Sequence, residues 1–263
     1  MDDPLNLETF LKVLQVDLDN KDSDKDLWSL KGTPPSDLML LYYLVRLVPN
    51  SGSILELGTF RGKSAIIMGL SSYDKNINIY TIDNFKVAKL VEDKSETEAE
   101  ARVIKNIEDF GVQDKVKLIT KDSNEASKTW SVPLDLLFID ADHTYERVKD
   151  DILNFVPHLK PGGFLIFHDY TNPFGGVKQA IEATLKKDDF ICYDKHYVML
   201  KKFQDLSGIL GKSCAVYIKK GNPEIERQVD KTFVFIKKPF GHGCNNCILN
   251  DFWNIKNVEA LKI

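Results

Sequence analysis

From residue 53 onward, short apolar runs alternate with segments in which apolar residues recur every three or four positions. The runs are typical of strands, and the spaced pattern is typical of helices with one buried face. Leu134–Ile139 is nearly continuously apolar, as expected of a strand that is buried on both faces. The pattern predicts five strands, at Ser53–Leu57, Ile77–Ile82, Val116–Ile119, Leu134–Ile139 and Phe164–Phe167.

Helix signals occupy the gaps between these strands. Ser95 and Glu98 have the spacing of a capping box, which predicts a helix from there to about Phe110. Two prolines followed by Ser36 and Asp37 predict an N-cap at one of these two residues. The other predicted helices are Leu5–Val16, Leu38–Leu47, one beginning with Ser64–Leu70, Tyr145–Val156 and Val177–Lys186, and Lys160–Gly163 is predicted to be a turn.

The alternation changes after residue 190. Ile191–Lys201 and Ser213–Lys219 have strand character with only a loop between them, which predicts an antiparallel pair at the sheet edge. The whole pattern predicts an α/β fold with a doubly wound, mostly parallel sheet of seven strands. We expect three parts, namely an N-terminal helix and connector (1–35), the main domain (36–220) and a C-terminal extension (221–263). Phe233–Ile236 predicts either a further strand or a contact with another subunit of a homo-oligomer.

Composition narrows the function classes. Of the 263 residues, 43% are hydrophobic and 28% charged, as in ordinary globular proteins. The net charge of −4 argues against a dedicated nucleic-acid binder, which needs a basic surface. No apolar run is long enough to cross a membrane, no signal peptide is visible, and four cysteines are too few for a disulfide scaffold. We therefore expect a cytoplasmic protein that binds neither nucleic acid nor membrane.

The segment from Glu56 to Ser64, Glu-Leu-Gly-Thr-Phe-Arg-Gly-Lys-Ser, predicts a turn that holds a ligand. Gly58 allows a tight turn, and Gly62 permits close approach at a helix start whose N–H groups are free donors. A dinucleotide site would show G-x-G-x-x-G instead. Glu56 would repel a pyrophosphate but favour a cation such as a sulfonium. Taken alone, the turn could equally be a structural connection.

Further polar residues follow the later strands. Asp83 ends the second strand and can accept hydrogen bonds from both hydroxyls of a ribose. Asp122 and Ser123 follow the third strand and can contact an adenine edge, and Asp140 follows the fourth. Ligands of open α/β sheets bind at these carboxyl ends. Acidic residues at successive strand ends therefore favour a ligand site over a structural connection.

These motifs resemble a known family. Ser53–Ser64 resembles motif I of class I S-adenosylmethionine-dependent methyltransferases, and Phe138–Tyr145 with Lys160–Tyr170 resembles the subgroup of macrolide-sugar and other small-molecule O-methyltransferases. The resemblance implies a Rossmann-like methyltransferase domain over residues 36–220 with S-adenosylmethionine as its cofactor. It implies that the methionine tail lies near Glu56–Gly58. The predicted cofactor-binding residues are Glu56, Gly58, Thr59, Arg61, Gly62, Ser64, Asp83, Asp122, Ser123 and Asp140.

Asp140 and Asp169 follow neighbouring strands, which lie about 4.8 Å apart in a sheet. The two carboxylates can share a divalent cation such as Mg²⁺. The relatives usually have an acidic pair where this chain has His168-Asp169. An imidazole ligand favours softer metals than Mg²⁺. Alternatively His168 points elsewhere, which leaves a two-carboxylate site or no metal. The predicted metal ligands are Asp140, Asp169 and His168.

His143 lies three residues beyond Asp140 and has the pKa range of a general base near pH 7. The resemblance suggests the same pair, with Asp140 as ligand and His143 as base, so both are predicted catalytic residues. The alternatives are that His143 caps the helix beginning at Tyr145 and that Asp169 is only a turn former.

The leading hypothesis is methyl transfer from S-adenosylmethionine to a hydroxyl of a small molecule, with a sugar as one candidate. The alternative is a catalytically inactive nucleotide-binding module that acts in assembly or regulation. An NAD-dependent enzyme is disfavoured by the missing G-x-G-x-x-G. Cys244 and Cys247 lack the second pair that a zinc site commonly needs. The acceptor pocket is expected to come from residues 1–50, 85–100, 172–176 and 202–263.

Overall fold

A computed structural model describes residues 3–16, 33, 35–87, 94–170, 175–192 and 214–225. Seven strands form one sheet in the order β3-β2-β1-β4-β5-β7-β6. The first five pair in parallel, and β7 pairs antiparallel with both β5 and β6. The strands are β1 (Ser53–Leu57), β2 (Asn78–Asp83), β3 (Val116–Thr120), β4 (Leu134–Ile139), β5 (Leu159–Phe167), β6 (Phe190–Cys192) and β7 (Ala215–Lys219).

Helices cover both faces of the sheet. Neighbouring residues of a strand point to opposite faces, so Leu136 and Phe138 of β4 belong to one hydrophobic core, and Leu137 and Ile139 belong to the other. The first core is closed by α1 to α4 and the second by α6 and α7. The helices are α1 (Leu7–Gln15), α2 (Pro35–Leu47), α3 (Lys63–Ser71), α4 (Glu96–Asp109), α5 (Ser123–Ser127), α6 (Tyr145–Phe155) and α7 (Gly176–Thr184).

The predicted fold is confirmed, including the seven strands and the antiparallel pair at the edge. In that pair β7 lies beside β5, and β6 is the outer strand. The capping box of Ser95 and Glu98 is also present. The predicted strand Phe233–Ile236, the cysteines Cys244 and Cys247 and residues 193–201 of the predicted strand Ile191–Lys201 lie outside the described residues.

Two local predictions are wrong. The helix α2 begins at Pro35, so Ser36 and Asp37 lie in its first turn and neither is its N-cap. Proline suits a first helical position because its ring already has the helical φ. Lys160–Gly163 lies within β5 rather than before it. The register shifts opposite this segment, where Gly162 has a φ of +82°, so the extra residues are accommodated as an irregularity of the strand.

This topology gathers the carboxyl ends of β1, β2, β3, β4 and β5 at one edge of the sheet. The strand order reverses between β1 and β4, which is where open α/β sheets bind ligands. Among the described residues, no helix combines the length and apolar character needed to cross a bilayer.

Candidate active site

A cavity of about 620 Å³ opens at this edge of the sheet. Its volume is within the range of small-molecule sites. Every parallel strand from β1 to β5 contributes residues to the wall from its carboxyl end or the loop that follows. The lining includes Thr33, Gly58, Thr59, Arg61, Ser64, Asp83, Asn84, Asp122, Ser123, Asp140, His143, Arg147, Asp151, His168 and Asp169.

Gly58 forms the floor of the cavity between β1 and β4. Its N–H donates to the carbonyl of Ile82, and the N–H of Asp140 donates to the carbonyl of Leu57, so the end of β1 is joined to both neighbours. The φ of Gly58 is +92°, and a Cβ atom there would lie 2.6 Å from the carbonyl carbon of Asp140. Only glycine meets both conditions, which gives the predicted tight turn a structural basis.

Gly62 and Glu56 do not line the cavity. Gly62 is the N-cap of α3 with a φ of +86°, and a Cβ would only come within 3.4 Å of Val103. Its glycine is therefore required by the backbone conformation rather than by close approach. The carboxyl group of Glu56 is fully buried and accepts hydrogen bonds from the hydroxyls of Ser64 and Thr81. Burial raises the pKa of Glu56 to about 8.

Asp83 organises the loops after β1 and β2. Its Oδ2 accepts from the N–H groups of Thr59 (2.8 Å) and Phe60 (2.9 Å), and its Oδ1 accepts from the N–H of Phe85 (2.7 Å). Phe60 and Phe85 have φ values of +50° and +56°, a strained region for non-glycine residues. The carboxylate thus holds two strained turns, and one lone pair of Oδ1 is left for a ligand hydroxyl.

Asp122 and Ser123 follow β3, which is an edge strand of the sheet, and both line the cavity. Asp122 caps α5 through a hydrogen bond from the N–H of Asn124 to Oδ1 (3.0 Å). Its Oδ2 accepts from Arg147 (2.7 Å) and Asn84 (3.2 Å). Although burial opposes ionisation, these donors lower the pKa of Asp122.

Two aspartates and two histidines meet at the ends of β4 and β5. The Nδ1 of His168 lies 3.0 Å from Asp140 Oδ1 and 3.2 Å from Asp169 Oδ2. The Nε2 of His143 lies 3.2 Å from Asp169 Oδ2 and 3.5 Å from Asp140 Oδ1. Asp169 is buried and has a φ of +55°, so the chain accepts backbone strain to hold it there. His168 therefore points into the centre, and His143 faces it rather than capping α6, whose N-cap is Thr144.

The charges of this centre shift the pKa values of its members. Burial disfavours the charged form of Asp140, but His168 and His143 outweigh it and hold the pKa of Asp140 well below its usual range. Burial also disfavours a charged His168, yet Asp140, Asp169 and Asp37 raise the pKa of His168 well above its usual value. The pKa of His143 is raised as well, because contact with Asp140 outweighs burial.

The arrangement fits a divalent cation. One ligand atom from each of Asp140, His143, His168 and Asp169 lies within 4.8 Å of the others. Although carboxylate oxygens are close, the His143 Nε2 and His168 Nδ1 atoms are buried and make no hydrogen bond to a described residue. Two carboxylates with imidazole suit Mn²⁺, Fe²⁺ or Zn²⁺ as well as Mg²⁺. His143, which the sequence predicts as a base, is within the same group of donors.

Several residues of the site were not predicted. Thr33 donates to Asp140 Oδ2 (3.4 Å), and Asp37 lies behind His168, with its Oδ2 3.3 Å from Nε2. Asp37 was predicted only as a helix cap. Arg147 and Asp151 come from α6, where Asp151 shares the buried face with Val148, Ile152 and Phe155. In the sequence, Asp151 already occupies a position on the otherwise apolar face of this helix, and this could have identified it as a site residue.

Residues 55–170 match a family described as a methyltransferase domain. This part of the chain is therefore similar to a methyltransferase domain. The match spans β1 to the end of β5 and so includes every strand end that lines the cavity. The predicted resemblance to a methyltransferase is confirmed over these residues.

Solved structures share the fold of this chain. The O-methyltransferase TomG of Streptomyces achromogenes, involved in tomaymycin synthesis and solved with S-adenosylmethionine, is 18% identical with a TM-score of 0.56, over 82% of this chain and 91% of TomG. An O-methyltransferase of Bacillus cereus, solved with S-adenosylhomocysteine, is 17% identical with a TM-score of 0.59, over 82% of this chain and 93% of that one. At 17% and 18% identity, these similarities show a shared fold only.

Proposed function

We propose that the protein transfers the methyl group of S-adenosylmethionine to a hydroxyl oxygen of a small molecule. The observation that carries this proposal is the cavity, which joins the glycine turn at Gly58 to the acid–imidazole centre of Asp140, His143, His168 and Asp169. TomG and the Bacillus cereus protein, both O-methyltransferases solved with the cofactor or its product, support the same reaction.

The chemistry assigned to the chain's own residues is positioning and proton removal. The acceptor oxygen attacks the methyl carbon, so that the O–CH₃ bond forms as the S–CH₃ bond breaks, and the hydroxyl proton leaves to a base. We assign this base to His143, whose side chain is one-third exposed and lines the cavity. Asp140, Asp169 and His168 would hold a divalent cation. Such a cation polarises the acceptor hydroxyl when it is bound.

We propose that the central domain comprises residues 36–220 and that residues outside it contribute to the acceptor pocket. Thr33 supports this, because it precedes that range and yet lines the cavity and contacts Asp140. Acidic side chains at the cavity can accept hydrogen bonds from neighbouring hydroxyls, which makes sugars the first acceptors to test.

Calorimetry with S-adenosylhomocysteine tests the cofactor assignment. We expect binding with a Kd in the micromolar range, and no binding of NAD⁺. If S-adenosylhomocysteine does not bind at millimolar concentration, the proposal is wrong. Binding without turnover of any acceptor would instead favour an inactive nucleotide-binding module.

The base and the metal have separate tests. With an acceptor found by screening sugars and phenols, His143→Ala should lower kcat roughly 10²- to 10⁴-fold while the Kd for S-adenosylhomocysteine changes little. His158→Ala is the matched control, because His158 lies in the short 3₁₀ turn after α6 and does not line the cavity. Titration with Mn²⁺ alone should show binding to the wild type that Asp169→Asn abolishes. Full activity after chelation would exclude the metal from the mechanism.

A further inference from the structure

The end of the cavity formed by α5 and α6 contains two aspartates with different surroundings. Asp122 precedes α5 and Asp151 lies on α6, and both line the cavity. Ser123 lies between them in the wall, and its hydroxyl donates to Asp151 Oδ1 at 2.7 Å. Under the proposed function, this end of the cavity is where the adenine ring of the cofactor is predicted.

Asp122 already uses both of its oxygens. Oδ1 accepts from the N–H of Asn124, and Oδ2 accepts from Arg147 and Asn84. Three donors on one carboxylate fix its position and take most of its acceptor capacity. Asp122 is thus built into the wall, and it joins the start of α5 to α6.

Asp151 keeps one oxygen open. The residue is only 2% exposed, and its Oδ1 accepts the hydroxyl of Ser123. Oδ2 accepts no hydrogen bond from any residue in the described ranges. Oδ2 is not fully enclosed by the described residues. Because Asp151 lines the cavity, the exposed part of this oxygen faces the cavity. A buried carboxylate oxygen without a donor is costly, and a ligand in the cavity is the available source of one.

We propose that Asp151 is a specificity-determining residue of this cavity, whose Oδ2 accepts a hydrogen bond from the exocyclic amino group of the cofactor's adenine. This proposal rests on the proposed function. The amino group carries the only N–H donors of an adenine ring that is attached to ribose. A site built to pair with a donor discriminates against an analogue that lacks it, because its own buried acceptor is then left unpaired.

The test uses S-adenosylhomocysteine and S-inosylhomocysteine, in which an oxygen replaces the amino group. Calorimetry is carried out at pH 8, above the pKa of about 7 that burial gives Asp151. The wild type should bind the inosyl compound roughly 10- to 100-fold more weakly than the adenosyl compound. Equal affinities would overturn the proposal without any variant.

Asp151→Asn then tests the residue itself. The asparagine can still accept from Ser123 through its oxygen while its NH₂ group faces the cavity, where it suits the inosyl oxygen and opposes the amino group. We expect the discrimination to fall below about 3-fold or to reverse. Asp150→Asn is the matched control, since Asp150 is the preceding residue, pairs with Asn124 and does not line the cavity. It should keep the wild-type ratio.

The outcomes separate this inference from the proposed function. If neither compound binds the wild type, the proposed function fails. If the wild type discriminates but Asp151→Asn keeps the same ratio, Asp151 only joins α5 to α6 and the inference is wrong. If Asp151→Asn does not fold, the comparison of the two compounds on the wild type still decides, because equal affinities overturn the inference.

Discussion

At the residue scale, the cavity depends on backbone conformations that few side chains allow. Gly58 combines a φ of +92° with contact against the backbone of Asp140, and Phe60, Phe85 and Asp169 also have positive φ values. All four lie at the carboxyl edge of the sheet. Strain concentrated at one edge is typical of a functional site, and hydrogen bonds from backbone N–H groups to Asp83 stabilise part of it.

Gly58→Ala should damage both the fold and the cavity. The added Cβ would overlap the backbone of Asp140 and would also be strained by the positive φ. We expect at least about a 100-fold loss of S-adenosylhomocysteine affinity and a lower Tm, measured by calorimetry and thermal unfolding. Gly111→Ala is the control, because Gly111 has a φ of +66° but no atom within 4 Å of an added Cβ. It should cost only about 1–2 kcal/mol and leave the affinity unchanged. Similar affinities in the two variants would contradict the steric argument.

At the element scale, the helix α4 shows how local sequence sets a boundary. Ser95 Oγ accepts from the N–H of Glu98 (3.3 Å), and Glu98 Oε2 accepts from the N–H of Ser95 (2.9 Å). This pair satisfies two N–H groups that a helix start leaves without partners. The other face of α4 packs Ala99, Val103 and Ile107 into the first core, so the cap fixes the start and the core fixes the orientation.

Ser95→Ala should destabilise the protein by about 1 kcal/mol, because it removes the cap but no buried contact. Urea unfolding gives the free energy, and hydrogen exchange should be faster at the N–H of Glu98. Thr97→Ala, at an exposed position in the same turn, should leave both quantities nearly unchanged. If the two variants behave alike, the cap adds nothing to stability.

At the scale of the whole molecule, buried acids make stability depend on pH. Burial raises the pKa of Glu56 to about 8 and that of Asp151 to about 7, against ordinary values of 4.5 and 3.8. Between these limits the folded protein holds protons that the unfolded chain releases. These two acids should therefore make the free energy of unfolding fall as the pH rises from about 4.5 to about 8.

Glu56→Gln removes the larger of these titrations while keeping groups that can pair with Ser64 and Thr81. Relative to wild type, the variant should gain on the order of 3 kcal/mol of unfolding free energy between pH 5.5 and pH 8.5. Urea unfolding at both pH values measures this. The exposed Glu125→Gln removes the same charge and is the control for net charge. A constant difference between wild type and Glu56→Gln across this range would show that Glu56 has an ordinary pKa in the folded protein.

The sequence by itself determined the order of strands and helices and the strand ends that carry polar residues. This succeeded because apolar periodicity reflects burial on one or both faces, as in Leu134–Ile139, and because caps such as Ser95 act over a few residues. The prediction of a turn at Lys160–Gly163 is wrong because glycine and proline usually end a strand. Only the pairing of β5 with β4 shows that this strand continues through them.

Only the tertiary structure decided which residues meet. Thr33 and Asp37 are more than 100 residues away from Asp140 and His168 along the chain. They meet because α2 and the ends of β4 and β5 pack at one point. Likewise, the hydrogen bonds of Asp122 and the open oxygen of Asp151 depend on how α5 packs against α6. Sequence spacing shows which residues can lie on one face of a helix or strand. Contacts between elements depend on three-dimensional packing, which that spacing does not describe.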